Sequence, residues 1–89
     1  MFTKPQVELR RQLLAFMKER RRVVLDHEGD WLQQLAKMMG VTTTNSQLRQ
    51  AIKKLVFLGA IRCTHPQLDD ADGAVSRKHI LVFLKDVEL

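Results

Sequence analysis

The stretch that most constrains this chain is Leu35-Ala36-Lys37-Met38-Met39-Gly40-Val41, then a cluster of Thr, Asn and Ser, then Leu48 to Ile61. It reads as a short helix, a turn, a second amphipathic helix and the start of a strand. Leu48, Ala51, Ile52, Leu55 and Leu58 recur at the spacing of one buried helical face. Gly40 and Gly59 stand where a left-handed residue ends a helix. The second helix is left with an outer face of Arg, Gln, Asn and Lys.

Composition frames that pattern. The chain has 89 residues, of which 45% are apolar, enough for one domain and one core. A domain of this size buries only about 60–65% of the surface its unfolded chain exposes, so a dimer contact would help it. Its hydrophobic stretches are short and broken by charge, which argues against a membrane span. Lys4 and Pro5 lead into an amphipathic segment, unlike a signal peptide. The single cysteine, Cys63, cannot close an internal disulfide and fits a reducing, cytoplasmic setting. The net charge of +5 favours a polyanionic partner.

The first helix is expected to start near Thr3, which has capping-box spacing to Gln6, with Pro5 in the first turn. Leu9, Leu13, Phe16 and Met17 should face the core, flanked by Val7 and Leu14. Lys18, Arg20, Arg21 and Arg22 suit the negative end of that helix or a phosphate contact. Val23-Val24-Leu25 is long enough for a minor strand. Asp30 should cap the next helix, with Gln33 completing a reciprocal bond. Leu32, Leu35, Ala36 and Met39 form its buried stripe, and Trp31 is expected over the junction with the first helix. Thr44 with Gln47 repeats the capping-box spacing, and Asn45 is an alternative cap. Strands are expected at Ala60 to Thr64 and Ile80 to Leu84, joined by a polar loop with turn formers at Pro66 and Asp72-Gly73.

That order of elements, with Leu35-Ala36-x-x-Met39-Gly40-Val41-Thr42 and Leu48-x-x-Ala51-Ile52-x-x-Leu55-x-x-x-Gly59-x-Ile61, resembles winged helix-turn-helix transcription regulators of the MarR and GntR type. The resemblance covers most of the chain. It implies an α+β fold: a three-helix core, a C-terminal β-hairpin wing and a short strand after the first helix. It further implies that the helix at 44–58 enters the DNA major groove. Two departures stand out. The segment before that helix is about five residues, longer than usual for the motif. The wing tip Asp69-Asp70-Ala71-Asp72 is acidic, which a phosphate backbone would repel.

Four residues in the N-terminal half of that helix, Asn45, Ser46, Arg49 and Gln50, are candidates for reading base edges, because Arg pairs with guanine and Asn or Gln with adenine. Thr43, Thr44, Lys53, Lys54, Arg77 and Lys78 are candidates for phosphate contacts. Asn45, Arg49 and Lys53 are expected together on the side opposite the core.

Cys63 and His65 alternate onto one strand face, with His79 expected opposite His65. No recognised zinc spacing accompanies them, so the reading is a buried cysteine with two wing histidines and no metal. No catalytic constellation and no cofactor motif is present in the pattern. The expected function is sequence-specific binding of double-stranded DNA by a small transcription regulator, nucleoid-associated in the cytoplasm. The alternatives are a winged-helix module that binds a protein partner, or a replication or partition factor. The apolar faces of the last strand leave a homodimer open.

Overall fold

The computed structural model describes residues 4–26, 30–64, 68–69, 74–75 and 78–88. Its elements run α1 (Lys4–Arg20), β1 (Arg22–Asp26), α2 (Trp31–Met39), α3 (Asn45–Phe57), β2 (Ile61–Thr64), β3 (Leu68–Asp69), β4 (Ala74–Val75) and β5 (Lys78–Phe83). Among the described residues this is a small α+β domain of three helices and a three-stranded antiparallel sheet, in the order β1-β5-β2. A separate two-residue ladder, β3 with β4, stands between β2 and β5 in the chain.

The helices form where apolar side chains repeat at 3.6 residues and the ends are capped. On α1, Leu9, Leu13, Leu14 and Met17 are buried, Phe16 packs partly against them, and Val7 is half-buried. The proposed cap at Thr3 lies outside the described residues. On α2 the buried residues are Leu32, Leu35 and Ala36, and on α3 Leu48, Ala51, Ile52 and Leu55. Leu58 is only half-buried, because α3 ends at Phe57 and the chain is already turning there.

Both glycine stops are formed. At Gly40 (φ 73°) the N–H of Val41 donates to Ala36 O at 3.0 Å and that of Gly40 to Lys37 O at 3.1 Å. At Gly59 (φ 77°) the N–H of Ala60 donates to Leu55 O at 2.9 Å and that of Gly59 to Val56 O at 3.0 Å. Each pair of bonds satisfies carbonyls that a helix end otherwise leaves open. The third stop differs. Arg21 takes the left-handed conformation (φ 68°) after α1, its N–H donating to Met17 O at 2.7 Å.

The sheet lays one face on the helices. Val23, Leu25, Ile61, Leu81 and His79 are buried on that face. The opposite face carries the rows Arg22–Val82–Arg62 and Val24–Ile80–Thr64. Ile80 and Val82 are only half-buried there, with Val24 exposed beside them. Helix α1 packs on β5, yet the buried and exposed positions put the helices against Leu81, so α1 leaves the Ile80–Val82 side open.

The last strand corrects an expectation. It spans Lys78–Phe83 and not Ile80 to Leu84, and pairing with β1 as far as Asp26 extends it at its start. Beyond it, Leu84 and Lys85 donate to Ala60 O at 2.7 and 3.2 Å. Residues 84–88 then return along α1, where Lys18 Nζ meets Asp86 Oδ2 at 3.0 Å.

Candidate nucleic-acid interface

Side chains at the start of α2 reach across to the start of α3. Asp30 caps α2, its Oδ1 accepting from Gln33 N at 3.3 Å. The reciprocal bond expected from Gln33 is not made. The Gln33 side-chain amide donates across the turn instead, to Thr43 O at 3.1 Å and Asn45 Oδ1 at 2.6 Å. Asn45 Nδ2 completes the ring, donating to Asp30 Oδ1 at 3.1 Å and Oδ2 at 2.9 Å. Thr44 caps α3 by accepting from Gln47 N at 3.2 Å. Here too the glutamine turns away from the box: Gln47 Oε1 accepts from the Thr43 hydroxyl at 3.1 Å.

These bonds sort the candidate residues. Asn45 does not stand opposite the core. It is half-buried on the flank of α3 that faces α2, and its amide bonds Gln33 and Asp30 of the neighbouring helix start. The cause is helical drift: residues four apart advance 40° per step, so Asn45, Arg49 and Lys53 spiral from the flank to the front. Ser46, Gln50 and Lys53 are exposed on the front, with Arg49 exposed at its edge. Thr44 keeps its hydroxyl hydrogen available while its oxygen caps the helix. The Thr43 hydroxyl already donates. Lys54 is half-buried, its Nζ 5.5 Å from the Phe57 ring centroid.

The electrostatics of this face are one-sided. The thirteen residues of α3 contain no Asp or Glu and carry Arg49, Lys53 and Lys54. Asp30 is a carboxylate close enough to feel the charge of Arg49. The Asn45 hydrogen bond holds its carboxyl below the usual carboxylate range, helped by the backbone N–H groups of Gln33 and Leu32 and by the charge of Arg49. Asp30 therefore stays ionised and keeps its bonds at neutral pH.

The wing base is organised differently from the expectation. His79 is 4% exposed and stacks on Trp31, ring centroids 4.2 Å apart and planes 12° from parallel. Trp31 thus joins α2 to β5. Cys63 is half-buried, and burial pushes its thiol pKa up, which disfavours the reactive thiolate. Thr64 pairs with Ile80. His65, Arg77, the side chain of Lys78 and the acidic segment 70–72 lie outside the described residues, as does the side chain of Asp69. Among the described residues no group of three His, Cys, Asp or Glu is placed to hold a metal ion, and no helix is long and apolar enough to cross a membrane.

The basic end of α1 is engaged within the domain. Arg20 lies 5.4 Å from the Phe16 ring and Arg21 5.0 Å from the Phe83 ring, both in cation–π range. Arg22 projects from the outer sheet face beside Val82.

No protein-family model, curated protein or solved structure matches this chain.

Proposed function

We propose that the domain is a winged helix-turn-helix module that binds double-stranded DNA with sequence preference, placing the front of α3 in the major groove. The observation that carries this reading is the carboxylate-free α3, with Ser46, Gln50 and Lys53 exposed and Arg49 at their edge, on a chain of net charge +5. Positive charge supplies affinity for phosphate, and Arg and Gln offer the bidentate geometry that distinguishes bases. The helical arrangement supports it: α2, a capped turn and α3 backed by a three-stranded sheet in the order β1-β5-β2.

In this reading Arg49, Gln50 and Ser46 contact bases, while Lys53, Lys54 and the Thr44 hydroxyl contact phosphates. Asn45 becomes a positioning residue that sets the angle of α3. A protein of this kind acts in transcription by occupying a site and blocking or recruiting polymerase. The test is selection from a random double-stranded DNA pool at near-physiological salt, read by sequencing. An enriched motif is the expected result, and a palindrome in it would indicate a homodimer. Salt-labile binding without enrichment would overturn the reading.

A further inference from the structure

The front of α3 ends in an aromatic residue that DNA binding does not use. Phe57 is 82% exposed, against 46% for Leu84, the next most exposed large apolar side chain among the described residues. It continues the stripe of Ser46, Gln50 and Lys53 at helical spacing. On one side of it lies an apolar hollow of about 400 Å³ floored by Trp31, Ile52, Val56 and Cys63, with Arg49 and Lys53 at its margin. On the other side lies a hollow of about 440 Å³ between α3 and α1, bounded by Arg10, Gln50, Lys53 and Lys54. Among the described residues no carboxylate lines either hollow.

We propose that this surface docks an acidic amphipathic segment of a partner protein, with apolar side chains seated either side of Phe57 and carboxylates against Arg49, Lys53 and Lys54. Charge complementarity selects the sign of the partner, since every charged residue lining the two hollows, among the described residues, is a cation. The apolar floor selects its class. DNA presents little apolar surface in the major groove besides the thymine methyl, so Val56 and the hollow beneath it would gain nothing from a duplex. A peptide helix or strand supplies apolar side chains to seat in the hollow over Trp31, Ile52, Val56 and Cys63 and a carboxylate for the shallower one beside Lys54, the usual way an amphipathic segment anchors in a groove. The Phe57 ridge between them is the kind of aromatic anchor that carries much of an interface's energy. Arg49 and Lys53 belong to both surfaces, so segment and DNA exclude one another. That last consequence rests on the DNA reading, whereas the docking itself does not.

The single tryptophan and single cysteine of the chain both line the first hollow and report on its occupation. The experiment pans a displayed random peptide library on the full chain, with Phe57→Ala as counter-selection. The substituted side chain is exposed, so the variant is expected to keep the wild-type Tm. Enriched peptides should combine apolar residues with Asp or Glu. A synthetic representative should change Trp31 emission, shield the Cys63 thiol from a thiol reagent, and bind Phe57→Ala at least about tenfold more weakly. Neutral or basic consensus peptides would overturn the proposal, as would binding that leaves Trp31, Cys63 and the Phe57→Ala comparison unmoved. The DNA-pool selection separates the two readings. Peptide binding without a DNA motif leaves the docking surface standing and removes only the DNA reading, and a DNA motif without acidic peptides does the reverse.

Discussion

Asn45 donates its side-chain amide to both oxygens of Asp30, at 3.1 and 2.9 Å, and accepts from Gln33 at 2.6 Å. The pair bridges the start of α2 to the start of α3, so a side chain expected to read a base ties the two helices together. Asn45→Ala is expected to lower Tm and to weaken DNA binding for all sequences alike. A change in the selected base preference in that variant would return Asn45 to the base-reading set.

The same bond has a pH signature. Because it lowers the folded-state pKa of Asp30, the ionised carboxylate favours the folded state, fully so above the unfolded-state pKa. That contribution is lost as pH falls through the lower folded-state pKa, in the region below about pH 4. Lys18 acts on Asp86 in the same sense. Thermal melts from neutral to acid pH should show a shallower acid limb in Asn45→Ala than in wild type. An NMR titration should find the Asp30 pKa higher in the variant, and an unchanged value would contradict the assignment.

Arg21 holds a conformation that glycine adopts at no steric cost, with φ at 68°. Its guanidinium over the Phe83 ring offsets part of that strain. Arg21→Ala keeps the strain and loses the ring contact, whereas Arg21→Gly loses both. Chemical denaturation should therefore find Arg21→Gly more stable than Arg21→Ala by about 1 kcal/mol. Equal stabilities would mean that the backbone relaxes when the arginine is removed.

Trp31 and His79 form the contact between α2 and β5. Truncating the buried partner, His79→Ala, opens a cavity and removes the stacking. The expected cost is about 2–4 kcal/mol, of which stacking supplies about 0.5–1.5. A red-shifted emission from Trp31 should accompany it. His79→Phe, which keeps a ring in the stack, should restore most of the emission spectrum.

Two substitutions on α3 should behave differently in DNA titrations. Arg49→Ala is expected to cost about 1–3 kcal/mol and to relax preference at one base position. Lys53→Ala should weaken all sequences together and reduce the salt slope by about 0.9. Identical behaviour of the two variants would mean that neither reads a base.

Much of the local architecture was legible because it depends on neighbours in the chain. The apolar stripes of α1, α2 and α3 follow from helical period, the stops at Gly40 and Gly59 from the left-handed region, and the caps Asp30 and Thr44 from an oxygen placed to accept an early N–H. The α+β class and the order of the helices with β1, β2 and β5 followed in turn, but the short ladder of β3 with β4 lies where a polar loop was expected. The other half of each capping box was not legible. Gln33 and Gln47 have the spacing, but other partners arrive from the turn, the acceptors Asn45 Oδ1 and Thr43 O for Gln33 and the Thr43 hydroxyl as donor for Gln47. Competition among partners distant in sequence decides such bonds.

The candidate site divides in the same way. Residue types and helical spacing alone placed Ser46, Arg49, Gln50 and Lys53 on one polar helix, and that helix free of carboxylates. Packing then withdrew Asn45 into the turn, laid Arg20 and Arg21 on Phe16 and Phe83, and buried His79 beneath Trp31. Spacing set Phe57 in line with Ser46, Gln50 and Lys53 on the outer face, and packing left it uncovered there. Period and capping are properties of adjacent residues, so the chain encodes them directly. Which faces meet depends on how three helices and a sheet share one small core, and that is settled only when distant segments pack together.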